Sequence, residues 1–463
     1  MTLYWHGIME GEQNLTISGS EKFYYPAELI PHITASWNSN DQFDSDTPLP
    51  NEKWLRQFTE VAYQASLLTE EQRRIGFRLA FISPDKAEQL AGPIELGRLY
   101  EPIHFNARRE FKVAEILRLA PATDHTKVLI CVSPFADENG DENLMIWGIL
   151  NTGASWFEYT KRESKTGVPP PDCITVSSIE PGNLTISRRG VVLISLKRGN
   201  VIVPTSQTLY EGPLAEMLNK SIKALYSEVC QKIGDESYGM MGLSDNTPGQ
   251  AYFSFIERLL FHIREHLHGG ALILVPDNLA DNPAQLDSSI RIKYPCNHDQ
   301  VWNLISDALA LRHSHNSMFL EIYKDAKALA ISKYHELSSL QSRREGIENR
   351  ITDYVQMISS ASAVDGAVVL TDHLRLLGFG GEITVLTPDL HLVHLATDSS
   401  GNDTYPVSIE SYGTRHRSAF RFCWANEGAI AFVISQDGGV KGVKRVDDKL
   451  IFWPDINFGP VGI

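Results

Sequence analysis

Cysteine is scarce in this chain, with five in 463 residues, at positions 131, 173, 230, 296 and 423. None stands in a Cys-x-x-Cys spacing, so neither a zinc site nor a disulfide framework is expected. No apolar run reaches the length that spans a bilayer, so no membrane role is expected. The opening Met1–His6 lacks a basic segment followed by an apolar one. No signal peptide and a cytoplasmic location are therefore expected. Positive charge is also in short supply: 42 Lys and Arg stand against 57 Asp and Glu, a net charge of −15. That balance disfavours general binding to nucleic acid or to anionic membranes, while leaving room for a local basic pocket. No Walker loop occurs. Gly378-Phe379-Gly380-Gly381 lacks the spacing of a dinucleotide fingerprint and reads as a turn between two strands.

What is present is an ordinary globular composition, 43% hydrophobic and 21% charged. The length exceeds one ordinary core, so two domains or more are expected. Residues 1–50 are polar, with a short apolar island at Phe23–Tyr25. Trp54, Phe58, Val61, Ala62 and Ala65 have helical spacing between Glu52 and Arg74. Strands are expected at 76–82 and 127–132, with a helix at 108–119. A β-rich stretch follows, with short strands at 144–150, 156–160, 174–178, 184–187, 191–196 and 201–203. Residues 214–233 form an amphipathic helix. Gly, Ser, Asp, Asn and Pro concentrate at 234–250, which is expected to be a linker between a unit at 1–233 and a second at 251–463. The second unit opens with a helix at 253–268, a buried strand at 269–275, a strand at 290–294 and a helix at 299–311. A long helical stretch at about 315–359 reads as an inserted hairpin or one long helix. Its Phe319, Ile322, Ala326, Leu329, Leu337, Leu340 and Ile347 follow a broken 3-4 spacing, as for a half-solvated face.

Two stretches of this second unit carry chemistry. Ala363–Leu370 reads as a buried strand with Asp365 at its entrance, beside Gly366 and Ala367. Gly413-Thr414-Arg415-His416-Arg417 heads a helix over 418–426 with Ala419, Phe422 and Cys423 on one face. Thr414 is the expected N-cap and Gly413 the turn before it. Cations in a first helical turn oppose the helix dipole, so a stability argument calls for acids there instead. Free N–H groups plus Arg and His donors make an anion site, with phosphate as the natural guest. A third stretch, 429–435, is an apolar strand ending in Ser435-Gln436. His262-Ile263-Arg264-Glu265-His266 matches a zinc-peptidase pattern, but no third ligand follows it and the zinc reading is disfavoured.

The ordered set Asp365-Gly366-Ala367, then Gly413–Arg417 heading a helix, then a strand ending in Ser435-Gln436 resembles the diadenylate cyclase domain. It is most similar to the version in DNA-integrity scanning proteins. The resemblance implies an α/β domain with a mixed twisted sheet flanked by helices, preceded here by an α+β regulatory unit. It implies condensation of two ATP into cyclic di-AMP with release of two pyrophosphates. Asp365 would be the catalytic group and the ligand of Mg2+ or Mn2+. Arg415, His416 and Arg417 would act on the phosphates. Gly366, Ala367, Gly413, Thr414, Ser435 and Gln436 would bind ATP. Pairing of two such domains face to face, as a homodimer or higher oligomer, is expected. The first unit resembles the sensor domain called DACNV through Val61–Leu68, Trp147-Gly148 with Thr152-Gly153, and Val176-Ser177-Ser178 with Pro181-Gly182. A small-molecule effector is expected there, and Trp156, Arg188 and Arg189 are candidates to touch it.

The chain departs from the scanning type at Asp437-Gly438, where two arginines stand in that family. Either a phosphate contact is lost or Lys441 replaces it. Extra residues between Leu370 and Gly413, including Thr397–Thr404, are expected to cover or reshape the adenine pocket that the resemblance implies. The chain ends at Ile463, and no DNA-binding role is expected. Two rivals stay open. One is a nucleotide-binding sensor without turnover. The other is a cyclase making a different cyclic dinucleotide.

Overall fold

The computed structural model describes residues 23–38, 47–70, 73–92, 100–161, 163, 167–197, 199–202, 209–210, 212–234, 247–266, 268–324, 331–435 and 439–456. Among the described residues, two large sheets and a two-stranded ribbon, with flanking helices, give an α/β architecture. The first half holds α1 (Pro26–Asn38), α2 (Glu52–Ser66), β1 (Thr69–Glu70), β2 (Arg73–Arg74), β3 (Phe77–Phe81), α3 (Pro84–Ala91), β4 (Glu101–Glu110), α4 (Val113–Leu119), β5 (Val128–Ala136), β6 (Glu142–Asn151), α5 (Trp156–Thr160), β7 (Ile174–Ser178), β8 (Leu184–Arg188), β9 (Val191–Lys197) and β10 (Asn200–Ile202). Then come α6 (Gly212–Ile233) and α7 (Thr247–Glu265). The second half continues with β11 (Gly270–Val275), α8 (Asp277–Ala280), α9 (Pro283–Ser289), β12 (Ile290–His298), α10 (Gln300–Lys324), α11 (Ile331–Ser360), β13 (Ala367–Thr371), β14 (Leu376–Ile383), β15 (Leu392–Ala396), β16 (Thr404–Ser408), α12 (Thr414–Ala425), β17 (Ile430–Ile434), β18 (Val440–Val446) and β19 (Lys449–Trp453).

The first sheet runs β10-β9-β8-β7-β3-β5-β6-β4, with only β3 and β5 parallel among its pairs. The second runs β12-β14-β13-β11-β17-β18-β19-β15-β16, with β11/β13 and β15/β19 parallel. Its central strands are buried on both faces, and their side chains alternate between two cores. Ala271, Ile273, Ala367, Val369, Ala431 and Val433 face α12. Leu272, Leu274, Val368, Leu370 and Phe432 face α7 and α11. That is the period-2 signature of a strand covered by helices on both sides.

The α7 side of the second sheet is continuous with one face of the first. Trp147, Leu150, Trp156 and Phe157 share a single core with Leu214, Leu218, Leu259, Phe261 and Val368. The two halves therefore meet through a packed apolar layer. Helix α6, which precedes the expected linker, lays Leu214 and Leu218 into this layer and ties to α10 through Lys232 and Asp307, 2.7 Å apart. Of the expected linker, 247–250 form the first turn of α7 and 235–246 lie outside the described residues.

Several local readings change. Residues 156–160 are helical because Ser155 and Glu158 form a capping box. Trp156 is fully buried, with the Arg78 guanidinium 3.9 Å from its ring. Residues 108–110 end strand β4, and the helix starts only at Val113. Gly378–Gly381 lie inside β14. The long insertion forms two helices: α11 is exposed over most of 331–350 and buries Ile351, Val355 and Ile358. Ala326 and Leu329 lie outside the described residues. Among those described, no helix is long and apolar enough to cross a membrane.

Candidate functional site

Asp365 sits in the turn between α11 and β13. A 3-10 turn, Ala361–Ala363, leads to it, closed by Ser362 Oγ donating to Ser359 O at 2.6 Å. The Asp365 side chain is exposed, and Lys293 Nζ donates to its carbonyl at 3.4 Å. Gly366 has φ +124°, and a Cβ there would lie 2.5 Å from the Gly380 carbonyl carbon. The close approach that fixes this glycine is thus to the β14 backbone. Ala367 is buried in the α12-side core, so its methyl serves packing.

Helix α12 starts without a side-chain cap. Gly413 itself is the N-cap and Thr414 the first helical residue, which corrects the expected roles of the two by one position. No acidic side chain stands in the first turn. Thr414 and Arg415 are exposed, and a Cβ at Gly413 would meet nothing within 4 Å. The helix start is thus open to solvent at Gly413–Arg415. His416 packs among the rings of Tyr412, Phe420 and Phe452. Arg417 Nη1 donates to Glu410 Oε2 at 2.5 Å.

Ser435 continues the odd-numbered series Ala431, Val433 that faces α12. Lys441, two strand positions before Val443 on the same face, donates from Nζ to Ser435 Oγ at 2.6 Å. Gln436 lies outside the described residues, as do Asp437 and Gly438.

Strand register decides which of these stretches share an end. Ala271 pairs with Ala367 in parallel and with Val433 antiparallel. The chain before β13 and the chain after β17 therefore leave the sheet at the same end. Asp365 and Ser435 stand there with only β11 between their strands, so β13 and β17 are roughly 10 Å apart. The far half of α12 is pinned toward the opposite end: Arg445 Nη1 donates to Trp424 O at 3.0 Å, and Cys423 Sγ to Val443 O at 3.5 Å. From Cys423 back to Thr414 the helix rises about 14 Å, and at its start Tyr412 and His416 lie against Phe452 of β19. Ser435, Lys441 and α12 thus share one face of the sheet, and the Asp365 turn shares the sheet end of Ser435.

Other polar clusters have different settings. Among the described residues, Asp277, Asp372 and His373 form a group of metal-ligand type at the opposite end, after the parallel strands β11 and β13. Asp365 is not part of it. That group is internally paired: His373 Nδ1 lies 3.0 Å from Asp277 and 3.1 Å from Asp372, and Arg375 Nη2 lies 3.2 Å from Asp277. The hydrogen bond to Asp372 and the Asp277 charge hold the His373 pKa above its ordinary value. An Asp closing each parallel strand, at 277 and 372, was the available sequence signal. His262 of the zinc-like pattern instead contacts Glu163 at 3.0 Å. In the first half, Arg188 is buried against Asp172 at 2.9 Å, and Arg189 approaches the same carboxylate at 3.4 Å. Trp156 and Arg188 are thus buried within the fold, while the Arg189 side chain is 42% exposed.

Residues 44–151 match the family described as probable sensor domain DACNV. No curated protein matches the chain. No solved structure matches it either. The matched segment runs from the approach to α2 through β6, so it contains the parallel pair β3/β5 at the centre of the first sheet.

Proposed function

We propose that the chain is a diadenylate cyclase, with the cyclase fold in its second half and regulation by its first. The observation that carries this reading is the shared sheet end of Asp365 and the Ser435–Lys441 pair, with the uncapped, acid-free α12 start on the same sheet face as that pair. The DACNV match at 44–151 supports it from the other half, because the resemblance places such domains ahead of some diadenylate cyclases.

In the proposed reaction a ribose 3′-hydroxyl attacks an α-phosphorus in line, and charge grows on the departing pyrophosphate. Asp365 orients that hydroxyl and takes its proton. The N–H groups at the α12 start, with Thr414, Arg415 and His416, hold phosphate oxygens. Arg417 exchanges Glu410 for phosphate. Ser435 contacts phosphate, and Lys441 supplies the positive charge that arginines supply in the scanning type. A single exposed carboxylate at Asp365 fits Mg2+ or Mn2+, ions that take one or two carboxylates together with phosphate oxygens. Such an ion, when bound, neutralises triphosphate charge. The product has two equivalent linkages, so each ATP is attacker and target, and two copies facing across a two-fold axis satisfy both.

One observation favours a second reading, a nucleotide-binding sensor without turnover. Arg417 is engaged by Glu410 and Ser435 by Lys441, and a silent site would keep those pairs. The test is to incubate purified protein with ATP and Mn2+ and identify products by mass. Cyclic di-AMP is expected from the wild type and none from Asp365→Asn, which still binds ATP. Asp365→Asn protein added to dilute wild type should lower its specific activity by forming mixed pairs. Binding without product would establish the silent sensor, and a product of another mass from mixed nucleotides would establish a different cyclase.

A further inference from the structure

Glu163 is the place where the first half grips α7, and through Arg258 of α7 it reaches α11. Its backbone N–H donates to Glu158 O at 2.8 Å, which ties it to α5. Its side chain is only 4% exposed. One carboxylate oxygen accepts from Arg258 Nε, and the other lies 3.0 Å from His262 Nε2. Arg258 and His262 are one turn apart on α7, so a single carboxylate spans both. Arg258 is buried too, and its remaining arm, Nη2, donates to Thr352 Oγ1 on α11 at 2.7 Å. Around this junction Phe157 stacks on Phe261 at 3.7 Å. Lys161 pairs with the fully buried Glu257, which also accepts from the Tyr210 hydroxyl at 2.8 Å.

Thr352 stands near the end of α11. Beyond it, Val355 and Ile358 are buried, and the helix passes into the 3-10 turn that delivers Asp365. A helix with a buried face moves as a rod, so a displacement at Thr352 is carried along the remaining two turns. The guanidinium is a rigid fork. If Glu163 withdraws, Arg258 is left as a buried cation, a costly state that drives it to reorient. Reorientation breaks its bond to Thr352.

We propose that Arg258 couples the two halves: held by Glu163, it fixes the end of α11 and thereby the turn that presents Asp365. Arg258 and Thr352 are positioning residues in this scheme. An effector that shifts α5 acts on the Asp365 turn through them. The meaning for catalysis rests on the proposed cyclase reading; the mechanical link does not.

Hydrogen exchange on the full chain tests the link without reference to activity. Glu163→Gln and Thr352→Val each keep side-chain shape and remove one side of the junction. Both should speed exchange over 351–365 about tenfold, the scale expected when a buried charge-assisted bond is lost. Strand β17 should be unchanged in both, and 156–163 should stay protected in Thr352→Val. Faster exchange confined to 156–163 and 258–262 in Glu163→Gln, with 351–365 as in wild type, overturns the coupling. If Glu163→Gln does not fold, Arg258→Lys decides. It keeps a cation for Glu163 but lacks the second arm, so a loosened α11 supports the coupling and an unchanged one overturns it. Where cyclic di-AMP is made, Thr352→Val should lower kcat several-fold with KM for ATP unchanged. Where none is made, the exchange result still stands.

Discussion

The cations of the first sheet and those at the α12 start are used in opposite ways. In the first half, Arg78 is buried against the Trp156 ring and Arg188 lies in a buried pair with Asp172 while covering Trp37 at 4.2 Å. Burial holds the Arg78 pKa down, to about 9, and the nearby Asp124 charge only partly offsets this. In the second half, Arg415 is exposed at a helix start where its charge opposes the dipole, and Arg417 reaches an exposed carboxylate. A buried, paired cation explains itself through the fold. A cation placed against its local field with no buried partner calls for a ligand, and that contrast separates scaffold from site here.

The contrast can be broken at its strongest point with a residue that belongs to the site by sequence and to the scaffold by geometry. Gly366→Ala puts a Cβ into the β14 backbone at a positive φ, and should cost about 4 kcal/mol by denaturant unfolding. Gly413→Ala, at an open N-cap, should cost about 1 kcal/mol or less. Equal losses would mean that both glycines are structural.

Next is the buried pair of the first half. Asp172→Ala removes the Arg188 partner in a desolvated setting and should cost about 3 kcal/mol. Arg415→Ala and Arg417→Ala provide the opposing case. Each should change stability by no more than about 0.5 kcal/mol, in the stabilising direction if at all. Each should weaken ATP binding about tenfold in titration calorimetry, the scale of one charge-assisted bond. Unfolding of both arginine variants would erase the distinction.

The smallest effect is a pH limb. Burial pushes the Glu163 pKa up, but the His262 hydrogen bond and the Arg258 charge outweigh it and hold the value below the ordinary range. A depressed folded-state carboxylate contributes stability that is fully present above about pH 4.3, its unfolded value. That contribution is lost as pH falls through the folded value. Glu163→Gln should therefore flatten the acid side of the stability–pH curve. An unchanged acid limb would show that this carboxylate titrates alike in both states.

How much of this was legible in the sequence depended on the range of the physics involved. The α12 start and the apolar run to Ile434 are local patterns, and they were read within a residue or two, whereas the strand expected from Ala363 begins only at Ala367. Ser155-Trp156-Phe157-Glu158 also held a local signal, the S-x-x-E capping box, which strand-like apolar content overrode. The glycines at 378–381 signalled a turn because glycine punctuates chains. Here they serve a strand that lies against Gly366 and β12, a demand set by neighbours distant in sequence. The shared sheet end of Asp365 and Ser435 follows from strand order, and the grip of Glu163 on Arg258 joins residues 95 apart. Neither leaves a local trace.

The single core under both sheets has a consequence for synthesis. Phe157 is made about a hundred residues before Phe261, its stacking partner. At roughly 5–20 residues per second, the first half waits roughly 5–20 s for α7 to emerge. During that time the apolar face around Trp147, Leu150 and Phe157 has no permanent cover. The first half is finished as a folded object only by residues that belong to the second.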